Sequence, residues 1–207
     1  MADGNAKTAT THPDIVRVRV VCEGISPLLL NKMDPNVLLE SKKAFKPARQ
    51  GTPRDRATPK VHTNAKGDPA IPANMILSCL IAAGVFIKLD KKRQVSTAKS
   101  TLLTAFMSVD NIEPMPIIVP DSKKAAPWEV DTQVGRNPNG GEAVLLERPR
   151  FDAWSFSIDI SIDTSGLGQE TIRQLFDFAG SRIGLGDFRP ARKGPYGRFV
   201  VKCWDRL

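Results

Sequence analysis

Apolar and polar residues alternate with period two at two places in this chain. The clearer is residues 154–163: Trp154, Phe156, Ile158, Ile160 and Ile162 fall on one face, Ser155, Ser157, Asp159, Ser161 and Asp163 on the other. Successive side chains point to opposite sides of a strand, so this pattern predicts a strand with one buried face. Residues 15–23 repeat it, with Val16, Val18, Val20 and Cys22 on one side and Arg17 and Arg19 on the other. Helical spacing takes over after Pro72-Ala73-Asn74, where Met75, Ile76, Cys79, Leu80 and Ala83 share a face that Ile87 extends. A second helix is predicted over residues 169–179 from Ile172, Leu175, Phe176 and Ala179 at i, i+3, i+4 and i+7, with Gly180 as its C-cap. A last strand over residues 198–204 would turn Phe199, Val201 and Cys203 inward.

Between these elements the pattern is weaker. Residues 41–70 are basic, proline-containing and poorly periodic, which predicts a long loop. Residues 96–108 suit a short helix or a helix-to-strand transition, with Leu102, Leu103 and Phe106 on one face. Ile117-Ile118-Val119 lies between prolines, as edge strands do. Asn137-Pro138-Asn139-Gly140 is a strong turn signal, and residues 131–136 and 143–148 would be the arms of a projecting hairpin. Strand, helix and strand therefore occur twice. The expectation is an α+β fold, ferredoxin-like (RRM-type), with an antiparallel sheet and helices on one face. Residues 1–13 would be a flexible tail, and residues 14–207 one domain with insertions at 41–70 and 121–150.

Charge narrows the function classes. Thirty basic residues against 22 acidic ones give +8 and a pI near 9.6, a balance that favours polyanions. Residues 42–66 hold eight basic side chains against Asp55 alone. A solvated loop and a polyanion contact both explain that window. The cluster Lys88, Lys91, Lys92 and Arg93 has a structural explanation of its own, because cations are favoured near a helix C-terminus. Cys22, Cys79 and Cys203 sit far apart in apolar contexts and read as buried thiols, with no disulfide framework and no zinc spacing. No apolar run is long enough for a membrane span, and a reducing cytoplasm is the simplest compartment. The two histidines, His12 and His62, lie in unpatterned segments, and no carboxylates pair at metal-binding spacing. No cofactor, no metal and no enzymatic activity are expected.

The chemistry concentrates between the last helix and the last strand. That segment holds Gly180, Gly184, Gly186, Gly194 and Gly197 together with Arg182, Arg189, Arg192, Lys193 and Arg198. Glycine lets a backbone approach a bulky anion, and the cations suit phosphates. A tight connection with merely solvated charges is the plainer reading. It is not a dinucleotide-binding fingerprint, because it follows a helix and precedes a strand. Phe188 and Tyr196 lie inside it, suited to base stacking or to packing against another subunit. By contrast, Trp154 and Phe156 share their face with three isoleucines and belong in the core.

The order helix, Gly184-x-Gly186, basic residues, then Gly194-x-x-Gly197-Arg198-Phe199 resembles the glycine-rich loop of the RAMP superfamily of CRISPR proteins, Cas7-like backbone subunits in particular. Val16–Cys22 with Ser26-Pro27-Leu28-Leu29 resembles the first strand and its exit there, and Ile71-Pro72-Ala73-Asn74-Met75 the start of the following helix. The hairpin around Asn137 takes the place of a thumb. Arg148-Pro149-Arg150-Phe151-Asp152-Ala153-Trp154 and the glycine-rich run are also similar to uncharacterised bacteriophage proteins. The sequence departs from a Cas7 pattern in its length and its Asp187-Phe188-Arg189-Pro190 insertion.

The resemblance implies a non-enzymatic binder of single-stranded nucleic acid, RNA preferred over DNA, with little sequence preference. Subunits would line up as a homo-oligomer, a filament or a ring, with a CRISPR or phage protein as a candidate partner and no membrane. Arg189, Arg192, Lys193, Arg198 and Arg182 would meet phosphates, and Gly184, Gly186, Gly194 and Gly197 would let the strand approach. Phe188 and Tyr196 would stack. Arg136, Arg148 and Arg150 on the hairpin, and Lys43, Lys46, Arg49, Arg54 and Arg56 on the long loop, would clamp the strand. Two other readings stay open: a phage structural or anti-defence interaction protein, and a metal-independent Cas6-like ribonuclease using Tyr196 and nearby lysines.

Overall fold

The computed structural model describes residues 14–33, 51–136 and 143–207. The expected tail, residues 41–50 of the long basic loop and the hairpin's turn lie outside these residues. In chain order the elements are β1 (Ile15–Gly24), β2 (Leu28–Leu29), α1 (Pro53–Ala57), a single 3-10 turn (Thr58–Lys60), β3 (Ala70–Ile71), α2 (Ala73–Gly84), α3 (Leu103–Phe106), β4 (Met107–Val109), β5 (Met115–Pro116), β6 (Glu129–Arg136), β7 (Ala143–Phe151), β8 (Ser155–Asp163), α4 (Gln169–Phe178) and β9 (Phe199–Arg206).

The central sheet runs β4-β8-β1-β9 with every neighbour antiparallel. Helix α2 falls between β1 and β4, and α4 between β8 and β9. Two strand–helix–strand units thus interleave in the ferredoxin-like order. The alternation in β1 and β8 drives this. Val18, Val20, Cys22, Phe156, Ile158, Ile160 and Ile162 are wholly buried, in one cluster with Ile76, Leu80, Ile172, Leu175 and Phe176 of the helices. Each such side chain contributes about 1.5–3 kcal/mol relative to an exposed one. Trp154 and Phe156 are core residues, with rings 6.2 Å apart.

The opposite face of the sheet is a lattice of ion pairs. Arg19 grips Asp159 through Nε and Nη2, both at 2.7 Å, Arg17 reaches Asp110 at 3.2 Å, and Lys202 reaches Glu23 at 3.2 Å. The Arg19 hydrogen bond holds the Asp159 carboxyl below its ordinary range.

A second sheet, β2-β7-β6, carries the hairpin, in register with Asp131 opposite Arg148 and Thr132 opposite Glu147. The predicted edge strand near Ile117 is divided: Met115–Pro116 pairs with β3, and Ile118 bridges Ser155. Residues 96–108 are the helix-to-strand transition, α3 running directly into β4.

Three expectations need correction. Residues 53–60 are helical, not loop, because Thr52 and Asp55 form a capping box, Asp55 N donating to Thr52 Oγ1 at 3.2 Å and Thr52 N to Asp55 Oδ2 at 2.8 Å. Gly180 is not the C-cap of α4; the helix continues as a π turn through Ile183 and ends at Gly184, φ 76°. Cys203 is exposed rather than buried. The β1–β9 register shifts between Val21 and Cys22, and beyond this bulge the inward position passes from Val201 to Trp204, whose ring meets Phe176 edge-on.

Candidate nucleic-acid interface

The glycine-rich segment leaves the π turn, crosses beside β2 and returns to the start of β9. Backbone bonds fix its course. Leu185 N donates to Gly197 O at 2.8 Å, Asp187 N to Leu29 O at 2.8 Å, and Gly197 N to Pro27 O at 2.7 Å. Two glycines are required by these approaches. At Gly186, φ 73°, a Cβ would lie 2.2 Å from Leu29 O; at Gly197, also φ 73°, 1.9 Å from Leu185 O. The glycines therefore serve close packing of backbone on backbone. The amides of Gly184, Gly194 and Gly197 donate to Ala179, Arg189 and Pro27, so these three are not offered to a phosphate.

Side chains, not backbone amides, carry the segment's positive charge outward. Arg182, Arg192, Lys193 and Arg198 are exposed, and Arg189 is half-buried with Nη1 donating to Gly186 O at 2.8 Å. None of these five joins an ion pair among the described residues. The contrast with the paired arginines of the sheet face is sharp. Phe188, in the same segment, is 39% exposed and held at φ 48°. Its ring lies 6.1 Å from that of Tyr196, tilted by 36°.

Beside this row, a cleft of about 300 Å³ opens between α2 and the Gly184–Arg189 backbone, lined by His62, Asn74, Met75, Ser78, Cys79 and Arg189 among others. A second of about 210 Å³ adjoins it and reaches Asn31 and Asp187. Burial, and then the charge of Lys32, lowers the pKa of His62, so the imidazole is neutral near pH 7. Burial pushes the Cys79 thiol up to about 12, and its Sγ donates to Gly184 O at 3.2 Å. That group is a protonated wall of the cleft rather than a nucleophile.

The other predicted contacts fall elsewhere. Arg148 is not at the surface: it is 3% exposed, with Nη2 3.1 Å from Asp131 Oδ2 and Nη1 3.0 Å from Asp187 Oδ2. Arg150 is half-buried beside Glu129 (3.3 Å) and Asp152 (2.9 Å). Arg56 grips Glu147 through Nε and Nη2, both at 2.5 Å. Arg54 lies 3.8 Å over the Trp128 ring and donates to the Trp128 carbonyl at 3.0 Å. Arg54 and Arg56 thus tie the 51–60 segment to the hairpin and the residue before it, Arg148 ties the hairpin to the glycine-rich segment, and Arg150 pairs within and just beyond the hairpin. Arg136 ends β6 opposite Ala143, and Lys43, Lys46 and Arg49 lie outside the described residues.

Sequence reasoning missed the partners of these arginines, Asp131, Gln133, Glu147 and Asp187. The pairing of hairpin arms it predicted does place Asp131 opposite Arg148 once the register is known. Asp187 and Asn31, which meet at 3.3 Å, left no local signal, because they come together only when the glycine-rich segment crosses the end of β2.

No family model and no curated protein matches this chain. Among solved structures it is similar to a chain of type III-B Cmr-beta, solved by cryo-EM bound to cognate target RNA, with TM-score 0.56 and 13% identity over 94% of this chain and 61% of that one. It is also similar to Cmr6 from Pyrococcus furiosus, with TM-score 0.45 and 13% identity over 92% of this chain and 100% of that one. The chain thus spans about three-fifths of the Cmr-beta chain's length. The fold implied by the resemblance to the Cas7-like RAMP superfamily is met, and at this identity the likeness is one of fold alone.

Proposed function

We propose that this protein binds single-stranded nucleic acid without catalysis and with little sequence preference, RNA in preference to DNA. One observation carries the reading: Arg182, Arg192, Lys193 and Arg198 are exposed without acidic partners among the described residues, on a segment fixed by backbone bonds, beside the exposed ring of Phe188. Unpaired cations on an ordered backbone suit a chain of phosphates, and a neighbouring aromatic suits a base face. The Gln133 amide is committed to Arg148, Asp131 and Tyr196, which supports weak sequence preference. The Tyr196 hydroxyl accepts from Gln133 at 3.2 Å, a structural role that argues against its service as a general base in RNA cleavage.

The preference for RNA draws on the type III-B Cmr-beta structure that shares the fold and was solved bound to cognate target RNA. Copies of this chain would sit side by side along the strand, as the sequence resemblance to Cas7-like backbone subunits implies. The sheet's outer face takes no part, since its arginines are neutralised by Asp110 and Asp159. The test is fluorescence anisotropy with labelled single-stranded RNA, single-stranded DNA and duplex RNA at low salt, with incubation of the RNA in EDTA. Binding in that order with the RNA left intact supports the reading; absence of binding to both single strands defeats it.

A further inference from the structure

We infer that the buried Arg148 is a positioning residue for the aromatic pair, locking the β6–β7 hairpin and the glycine-rich segment into one body. The inference rests on the nucleic-acid reading above. Arg148 sits where three parts of the chain meet. Its Nη2 donates to Asp131 Oδ2 at 3.1 Å and Gln133 Oε1 at 2.9 Å on β6, and its Nη1 to Asp187 Oδ2 at 3.0 Å on the segment. Asp187 also accepts from Asn31 Nδ2 at 3.3 Å, beyond β2.

Both rings are tied to this cluster. Asp187 Oδ1 accepts the amide of Phe188 at 2.9 Å, which holds Phe188 in its left-handed conformation, a region that costs a non-glycine residue energy unless neighbours impose it. Gln133, itself fixed by Arg148, donates to Tyr196 Oη at 3.2 Å. The Arg148 guanidinium carbon lies 5.9 Å from the centre of the Phe188 ring. Two carboxylates against one guanidinium leave the cluster negative, beside a surface meant for phosphates. A role in attracting the strand therefore does not explain it. Fixing the pose of Phe188 and Tyr196 does.

This geometry separates the Arg148–Asp187 pair from the exposed basic residues of the segment, by the sign of the effect at Asp187 and by its independence of salt at Arg148. The test uses Asp187→Ala and Arg148→Met in the full chain, with a labelled oligouridylate as probe. Asp187→Ala removes a negative charge next to a polyanion site. Simple electrostatics raises affinity; loss of pose lowers it, and a fall of roughly five- to 150-fold is expected if one stacking contact is lost. Arg148→Met is expected to weaken binding with the salt slope unchanged, because no phosphate contact is removed. Tyr196 is the chain's single tyrosine, so selective labelling gives one set of ring resonances in the free protein. Those resonances are expected to move in both variants as the ring current of Phe188 is lost. Unmoved resonances in Asp187→Ala, or affinity that rises, overturns the positioning role while wild-type binding stands. A wild-type protein that binds no oligouridylate removes the nucleic-acid reading itself.

Discussion

Gly180 and Phe199 approach more closely than any side chain at position 180 permits: a Cβ there would fall 2.2 Å from the Phe199 carbonyl oxygen and 2.9 Å from its ring. The contact lets the first residue of β9 pass directly over the π turn, and so sets both ends of the glycine-rich segment. Gly180→Ala must push these elements apart, and overpacking of this kind costs about 1–3 kcal/mol. Urea unfolding of the variant is expected to show a loss in that range with its slope preserved. An unaffected midpoint would mean that the turn relaxes freely.

The thiols divide by burial. Cys22 and Cys79 are buried, and burial raises both pKa values, that of Cys79 to about 12. Cys203 is exposed. In native protein a thiol reagent near neutral pH is expected to modify Cys203 only, and all three cysteines after denaturation. Rapid native modification of Cys79 would show that the floor of the cleft opens to solvent.

His62 makes stability fall on mild acidification. Its folded pKa lies below the ordinary 6.5, through burial and the charge of Lys32. The unfolded chain takes up the proton first, so the histidine's contribution is present above 6.5 and is lost as pH falls below it. The carboxyls of Asp55, Asp90 and Asp159 are lowered from 3.8, by hydrogen bonds from Thr52, Arg93 and Arg19 respectively; their contributions are lost only at more acid pH. Urea midpoints at about pH 7.5 and about pH 5.5 are expected to differ in the wild type and to converge in His62→Gln. An equal difference in the variant would assign the effect to another group.

The arginines expected to share the strand should separate in their binding phenotypes. Replacing Arg192 or Arg198 with alanine is expected to reduce the slope of log K against log salt by roughly 0.7, the share of one phosphate contact on a single strand. Replacing Arg54, which stacks on Trp128, or Arg150, which faces Glu129 and Asp152, is expected to leave that slope nearly unchanged. Filter binding across a salt series measures both. Equal slope changes in the two groups would contradict the division drawn from the ion pairs.

The sheet was legible because its signal is periodic. In β1 and β8 the alternation places Val18, Val20, Cys22, Phe156, Ile158, Ile160 and Ile162 in the core, while Val16 is only half-buried and Ser155, expected on the polar face, is buried where it bridges Ile118. The bulge in β9 was not, since one extra residue in a strand leaves no trace until its partner's register is known; Cys203 was placed inward for that reason. Helix α1 did carry a signal, Thr52-Pro53-Arg54-Asp55, that the surrounding basic residues obscured. At the candidate site the exposed cations Arg182, Arg192, Lys193 and Arg198 were readable from composition. The division of the remaining arginines was not, because whether a guanidinium faces a phosphate or a buried carboxylate depends on contacts between residues as distant as Arg56 and Glu147. The glycines illustrate the same limit: their clustering suggested room for an anion, whereas Gly186 and Gly197 make room for the protein's own backbone.

The most direct test of the central claim compares the wild type with a variant carrying serine at Arg182, Arg192, Lys193 and Arg198 together. All four are exposed, so folding should persist. Anisotropy titrations with labelled oligouridylate across a salt series are predicted to show salt-sensitive binding by the wild type, and in the variant a slope shallower by roughly 3 with weaker affinity throughout. Matching slopes and affinities in the two proteins would contradict the assignment of these side chains to the strand.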